Sequence, residues 1–427
     1  MFALPPRSET VALLRTAGAV TLAILPVAMA LANRSSPTVV GLAALFFLVA
    51  GLIEDARATT RFVARPLATP IGLAALGFVV WSLASIAWSP AQDLSWRNIQ
   101  EFLPTIAGAY LLARLAPGNM PAFTPRLAAW SIALAGLYIV VALAAHLPLH
   151  RAMGSRVALF VFNRPALTIL PVMGPLAYLL HRRGQGIAAL LVLVIGTGAI
   201  LRSISGAAAL GLAAGAVTAL IAVLTPRRVG LAIMGAVLGL ALVLAPVEGD
   251  ILQKVMPDAV HERLVQSSSR ARVAIARSFG AAVALDPWRG AGFGISARFI
   301  DTPVAARIEP GLRPMLAVGH PHNIFLQIWA ELGIVGAGLA SAILMMMLAL
   351  IARMPRGEGV VALGLVGSCT AVAFVEHGAW QGWWIAALGA AVAWTREAGM
   401  EPYRCDRSDR SQAASASTRL RPEDLAR

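Results

Sequence analysis

The sequence predicts an all-α polytopic membrane protein of about twelve transmembrane helices, with one large external loop before the tenth. Three observations carry that reading. Of 427 residues, 58% are hydrophobic and 13% charged, and a soluble domain carries about 25% charged residues; the mean hydropathy is +0.74. Apolar runs of roughly 18 residues or more, enough to cross a hydrocarbon core of about 30 Å, recur along nearly the whole chain. Arginines gather in the short breaks between these runs, as orientation by the positive-inside rule produces. That distribution accounts for the net charge of +14 without a nucleic-acid partner.

In chain order the expected spans cover residues 10–33, 36–53, 71–89, 99–116, 127–149, 160–180, 186–202, 205–224, 229–247, 333–353, 359–376 and 378–395. The first apolar stretch is expected to stay as an anchor, since it lacks a cleavage pattern. The sixth carries Pro165, Pro171 and Pro175, so a kink is expected there. One set of breaks holds Arg57, Arg61, Arg65, Arg114, Arg126, Arg182, Arg183, Arg227, Arg228, Arg353 and Arg356. The alternate short breaks hold only Arg34, Arg97, Arg151, Arg156 and Arg202. The richer set is therefore cytoplasmic, and both termini lie inside.

Four regions follow: 1–246 with spans one to nine, 247–332 as the external loop, 333–395 with the last three spans, and 396–427 as a mobile cytoplasmic tail. Cys369 lies in an apolar run and Cys405 in the tail, so neither a disulfide nor a metal site is expected. No internal repeat of the kind many transporters show is visible.

The external loop holds "SSSRARVAIARSFGAAVALDPWRGAGFGIS". Its serines suit a helix start, and apolar residues at helical spacing follow. Arg270, Arg272 and Arg277 decorate this helix. Pro287 stops it, and Gly290, Gly292 and Gly294 allow a tight turn of close approach. Without a P-loop lysine the glycines are no nucleotide fingerprint.

Then comes "GHPHNIFLQIWAELG", in which Pro321 suits the first turn of an amphipathic helix. His322 and Asn323 then sit at a helix N-terminus, where backbone N–H groups favour anions and a histidine is held neutral. His320 and His322 are thus candidate proton acceptors, although a plain helix cap fits the same residues. Arg202, Arg272, Arg277 and Arg289 are candidate phosphate ligands as a set, since guanidinium binds oxygens bidentately. Taken singly, each also suits a solvated face or an interfacial anchor.

Arg164, beside Asn163 at the start of the proline-bearing span, calls for a polar partner or a water-filled cavity. Glu376, His377 and Gln381 form the external turn between the last two spans. Trp383 and Trp384 read as interfacial anchors, and Trp81 and Trp88 as part of the aromatic belt. Glu331, one turn from Gln327, reads as a surface group.

Four blocks in order, "FNRPALTILPVMGPLAYLL", "LRSISGAAALGL", "SRARVAIARSFGAAVALDPWRGAGFG" and "HPHNIFLQIWAELGIVGAGL", resemble the O-antigen ligase and Wzy-type polymerase superfamily of bacterial envelope glycan assembly. Together with the spans, the resemblance covers nearly the whole chain. It implies a glycosyltransferase in the bacterial inner membrane. Such an enzyme takes a glycan from an undecaprenyl-diphosphate carrier at the periplasmic face and gives it to an acceptor hydroxyl. For ligases the acceptor is lipid A–core; for polymerases it is another carrier-linked repeat. His322 matches the motif histidine, and Arg272 best matches an arginine that holds the diphosphate. Arg277, Arg202 and Arg289 are further candidates, with Asn323, Arg164 and Glu331 in support. One departure stands out: the family's Ser-Arg-Gly turn reads "RSISG" here, with Ile204 in the arginine's place and Arg202 as its substitute.

No cofactor is implied. The absence of Asp-x-Asp and of Cys/His clusters points to metal-independent transfer. Direct displacement inverts the anomeric centre. The leading expectation is a ligase, and the alternative is a polymerase of O-antigen or exopolysaccharide repeats. A lipid or glycan transporter is a third reading; it asks for polar groups at mid-membrane, whereas these gather at one face.

Overall fold

The structure, a computed structural model, describes residues 6–147, 151–152, 158–257, 259, 262, 269–375 and 378–400. Among them the chain is helical with no strand. The helices are α1 (Arg7–Ala23), α2 (Leu25–Leu31), α3 (Ser36–Ala64), α4 (Pro70–Ser85), α5 (Gln92–Leu115), α6 (Thr124–Ala144), α7 (Asn163–Arg182) and α8 (Gly186–Arg202). They continue with α9 (Gly206–Leu224), α10 (Arg227–Leu244), α11 (Glu248–Val255), α12 (Ser269–Leu285), α13 (Pro303–Ala306), α14 (Ile324–Ile351), α15 (Arg356–Val375) and α16 (Gly382–Met400).

A helix occupies each of the twelve expected stretches, but not all have the length and composition of a span. Among the described residues eight helices are long and apolar enough to cross a membrane, or nine if the α1–α2 pair, bent by 50°, counts as one. α5 carries Asp93, Arg97 and Glu101 in its first turns, α16 ends in Arg396 and Glu397, and α8 has only 17 residues.

Helix ends follow local chemistry. α3 breaks at Asp55 (φ −153°), close to its expected limit, and Asp55 Oδ1 accepts from Ala58 N at 2.9 Å to restart it. Ser205 caps α9 by accepting from Ala208 N at 3.2 Å. α7 runs on as one helix through Pro171 and Pro175, where a kink was expected. α16 continues to Met400, into the stretch expected as a tail; residues 401–427, with Cys405, lie outside the described residues.

Two large apolar cores share the bundle, with a smaller cluster of Ile86, Ile99, Phe102, Phe293 and Leu332 beside them. One is built by α1, α2, α3, α5, α6, α7, α8 and α16. The other joins α10, α12 and α14 to the segment between α12 and α14. α9 and α15 join the two through small residues, since a Cβ on Gly215 would overlap Ser368 and one on Gly367 would overlap Thr218. Such close approach is how helices associate where apolar burial gives no driving force. The contacts make α9 antiparallel to α15, so the end of α15, the start of α9 and Arg202 share one end of the bundle.

The expected loop is a folded cap on that end. Phe279 of α12 packs on Phe299 with ring centroids 4.9 Å apart, and Ser278 Oγ donates to Leu312 O at 2.7 Å.

Candidate active site

The site is built around a break in α14. At Gly333 the backbone turns to φ 63°, ψ −161°, which leaves carbonyls and N–H groups of the helix without partners. The glycine turn fills the gap. Ala291 N donates to Ala330 O at 2.9 Å, Gly292 N to Glu331 O at 2.9 Å, and Ile334 N to Pro287 O at 2.8 Å. Gly290, Gly292 and Gly294 all have positive φ, as the expected close approach requires, and a Cβ on Gly290 would overlap the Glu331 carbonyl.

Trp81 and Trp88, expected in the aromatic belt, instead clamp this joint. Trp81 Nε1 donates to Leu332 O at 2.9 Å and Trp88 Nε1 to Gly290 O at 3.2 Å.

Glu331 is fully buried, not the surface group expected of it. Its carboxylate accepts from Gly294 N, Ser296 N (3.2 Å) and Ser296 Oγ, Gln327 Nε2 (2.8 Å) and Trp380 Nε1 (2.6 Å). A buried carboxylate needs this many donors to replace its water. Gln327 in turn accepts from Ala379 N at 2.7 Å. Helix α14, the glycine turn and the turn after α15 are thereby joined.

The histidines sit at the start of the same helix. Asn323 is the N-cap: Oδ1 accepts from Phe325 N at 2.8 Å and Leu326 N at 3.2 Å. Pro321 therefore precedes the cap instead of occupying the first turn, because Asn323 supplies the acceptor the free N–H groups need. His322, just before the cap, has φ 55°, one of three non-glycine residues with positive φ among those described. Such strain, of order 1–3 kcal/mol, tends to sit at functional sites.

The rings of His320 and His322 stand edge to face, 4.2 Å apart. His322 N donates to His320 Nδ1 at 3.3 Å. His320 Nδ1 is thus an acceptor, which puts its proton on Nε2. Burial, and then the charge of Arg272, lower the pKa of His320 below the usual histidine value.

Arg272 donates to Val375 O at the end of α15. Burial lowers its pKa too, though a guanidinium stays charged throughout the working pH range. So the structure brings His320, His322, Arg272 and Asn323 together. It sets the other arginines apart. Arg277 pairs with Asp250 at 2.9 Å, and Arg289 lies by the α14 break, largely exposed, 4.0 Å from Asp286. Arg202 ends α8, exposed, with no hydrogen-bond partner among the described residues.

Arg164 stacks over the ring of Trp383, 5.6 Å from its centroid, with Arg34 and Glu101 in electrostatic reach. Trp383 and Trp384 are buried, not interfacial; Trp383 O accepts from Ser36 Oγ at 2.9 Å. Glu376 and His377 lie outside the described residues.

Glu248 was not singled out in the sequence. It is buried and accepts from Asn323 Nδ2 at 2.6 Å. The only signal was an acidic residue at the end of an apolar run. Glu248 also lines a cavity of about 640 Å³ between α9, α10, α11 and α15, whose other walls include Val217, Ile221, Met234, Val237 and Phe374. Phe374 precedes the residue whose carbonyl holds Arg272. The apolar cavity thus reaches two residues tied to the site, Glu248, which bonds Asn323, and Phe374, one residue before Val375, while the histidines and Arg272 are not among its walls. An open hollow of about 820 Å³, by Arg7, Arg15 and Glu54, lies at the other end of the bundle.

Residues 191–341 match the family model described as O-antigen ligase. That stretch takes in Arg202, Arg272, Arg277, Arg289, both histidines, Asn323 and Glu331, and leaves out Arg164. No curated protein matches the chain. Over residues 191–341, about a third of the chain, the protein is thus similar to the O-antigen ligase family, on a chain of apolar helices long enough to cross a membrane.

Proposed function

We propose that the protein transfers a glycan from an undecaprenyl-diphosphate carrier to the hydroxyl of lipid A–core, as an O-antigen ligase, at the periplasmic face of the inner membrane. The observation that carries this is the histidine turn held beside Arg272, with an apolar cavity whose walls include Glu248, the partner of Asn323. A lipid-linked diphosphate asks for that combination: cationic fork for the head, apolar walls for the chain, proton acceptor for the incoming hydroxyl.

His322 is the proton acceptor in this reading: it is the histidine that matches the motif, and it stands in a strained backbone conformation beside the Asn323 cap. As the acceptor oxygen bonds to the anomeric carbon, its proton passes to His322. The bond from that carbon to the diphosphate oxygen breaks, and Arg272 stabilises the charge that collects on the leaving diphosphate. The proton then leaves His322 for diphosphate or water. Attack opposite the leaving group inverts the anomeric centre, which NMR of the product checks; a retained configuration contradicts direct displacement. Arg202 and Arg289 stand as further diphosphate contacts once the donor is bound. The leaving group is already good, so we also propose metal-independent transfer: excess chelator leaves the purified rate intact, and a rate lost and then restored by magnesium contradicts it.

The test is a deletion strain complemented with wild type or His322→Ala, with surface polysaccharides resolved on gels. The substitution lowers transfer about 10²–10⁴-fold at equal protein level, the usual worth of a general base. Long-chain lipopolysaccharide then disappears while full-length polymer stays on its carrier. If only single-repeat products remain, or an exopolysaccharide vanishes, the protein is a polymerase. Normal pools with His322→Ala remove the histidine from catalysis.

A further inference from the structure

Glu248 opens α11, where the turn Ala245–Val247 carries the chain out of α10. It is 8% exposed, and its one hydrogen-bond partner among the described residues is the Asn323 amide. Asn323 faces two ways. Its Nδ2 donates to Glu248, and its Oδ1 accepts from the first N–H groups of α14. Reversing that amide would set an oxygen against the carboxylate and N–H against N–H. Glu248 and the first N–H groups of α14 therefore fix together which way Asn323 points.

Asn323 in turn fixes His322. The two share a peptide bond, at the point where the chain passes from φ 55° at His322 to the extended cap conformation, φ −142° and ψ 118°. A left-handed histidine persists only where its surroundings over-determine it. The capped Asn323 is the constraint on one side, and the bond from His322 N to His320 Nδ1 is that on the other.

We propose that Glu248 is a positioning residue: through Asn323 it holds His322 in the conformation that accepts the proton. This rests on the reading of His322 given above. The same carboxylate heads the apolar cavity, so the group that orients the histidine also borders the space assigned to the lipid chain.

Hydrogen-bond polarity supplies a test that simple loss of packing does not mimic. In full-length protein in nanodiscs, kcat and donor KM are measured with a lipid-linked glycan donor and lipid A–core acceptor. Asn323→Asp removes the amide donor to Glu248 and sets a second carboxyl in its place, and kcat falls about tenfold or more, the worth of a buried hydrogen bond lost. Adding Glu248→Gln reverses the pair, with glutamine donating to an aspartate that still caps α14. The double variant recovers most of the lost kcat while donor KM stays close to wild type throughout. Glu248→Ala, which orphans Asn323, lowers kcat, and Glu248→Gln, which keeps an acceptor, lowers it less. A double variant no better than Asn323→Asp, with His322→Ala inactive, overturns the positioning role alone. Full activity of His322→Ala overturns the reading beneath it and this proposal together.

Discussion

His320 and His322 have the same side chain and different chemistry, and one backbone hydrogen bond separates them. His322 N donates to Nδ1 of His320, so that ring nitrogen of His320 is engaged by the backbone, and the proposed role of proton acceptor goes to His322. His320 leaves a signature in stability instead. Burial and the Arg272 charge lower its folded pKa, so between that value and about 6.5, the unfolded value, the unfolded chain binds more protons. Stability is therefore complete above about pH 6.5 and is lost as the pH falls through that value toward the folded pKa. Thermal unfolding in detergent should show a midpoint that drops on acidification from pH 7.5 to 5. His320→Gln should flatten that slope, and an unaltered slope would mean that His320 does not titrate as its surroundings require. At this scale the sequence was partly legible. Asparagine before an apolar helix is a cap signal, and the two histidines stand out beside it. Glu248 does not stand out, and Glu331, named in support, reads as a surface group from sequence alone, because their burial is decided by partners 75 and 35 residues away in the chain.

The elements show a similar division. A Gly-x-Gly-x-Gly turn after a proline announces close backbone approach, and positive φ at all three positions agrees. What it approaches was not legible, since the break in α14 forms only when another segment supplies hydrogen bonds to it. Turn and break are one device, and the aromatic wedge of Phe102, Phe293 and Trp380, with ring centroids 4.4–5.4 Å apart, closes it from the side. This makes two glycines unequal. Gly290 combines φ 69° with a carbonyl in the path of any Cβ, whereas Gly319 has φ 103° and open space around it. Gly290→Ala should cost about 3 kcal/mol, and Gly319→Ala about 1 kcal/mol from backbone strain alone. Thermal unfolding of the two variants compares them; equal losses would mean that the turn does not depend on contact with α14.

Across the whole molecule, apolar runs and arginine placement located twelve helices in advance, because hydropathy acts along the chain and needs no partner. Which helices are long and apolar enough to span was less legible, since α5 and α16 carry charges that only their packing explains. Those charges do structural work far from the histidines. At the opposite end of the bundle, Arg182 meets Glu358 at 3.2 Å and Arg183 meets Glu397 at 3.1 Å, all four side chains largely buried. Glu397 also accepts from Gly118 N at 2.7 Å, which ties the α5–α6 turn to α16. Removing one member of such a pair leaves the other charge buried, at a cost of about 3–5 kcal/mol. Glu397→Ala should therefore lower the unfolding midpoint sharply, while the protein that remains folded keeps its donor KM. The ion pairs and the histidine turn lie at opposite ends of α16 and α15, and the Glu331 network fixes the active end independently. A donor KM that rises in step with the loss of stability would instead show that α16 carries strain from one end to the other, with the position of Arg272 set by the far clamp as well as by the carbonyl of Val375.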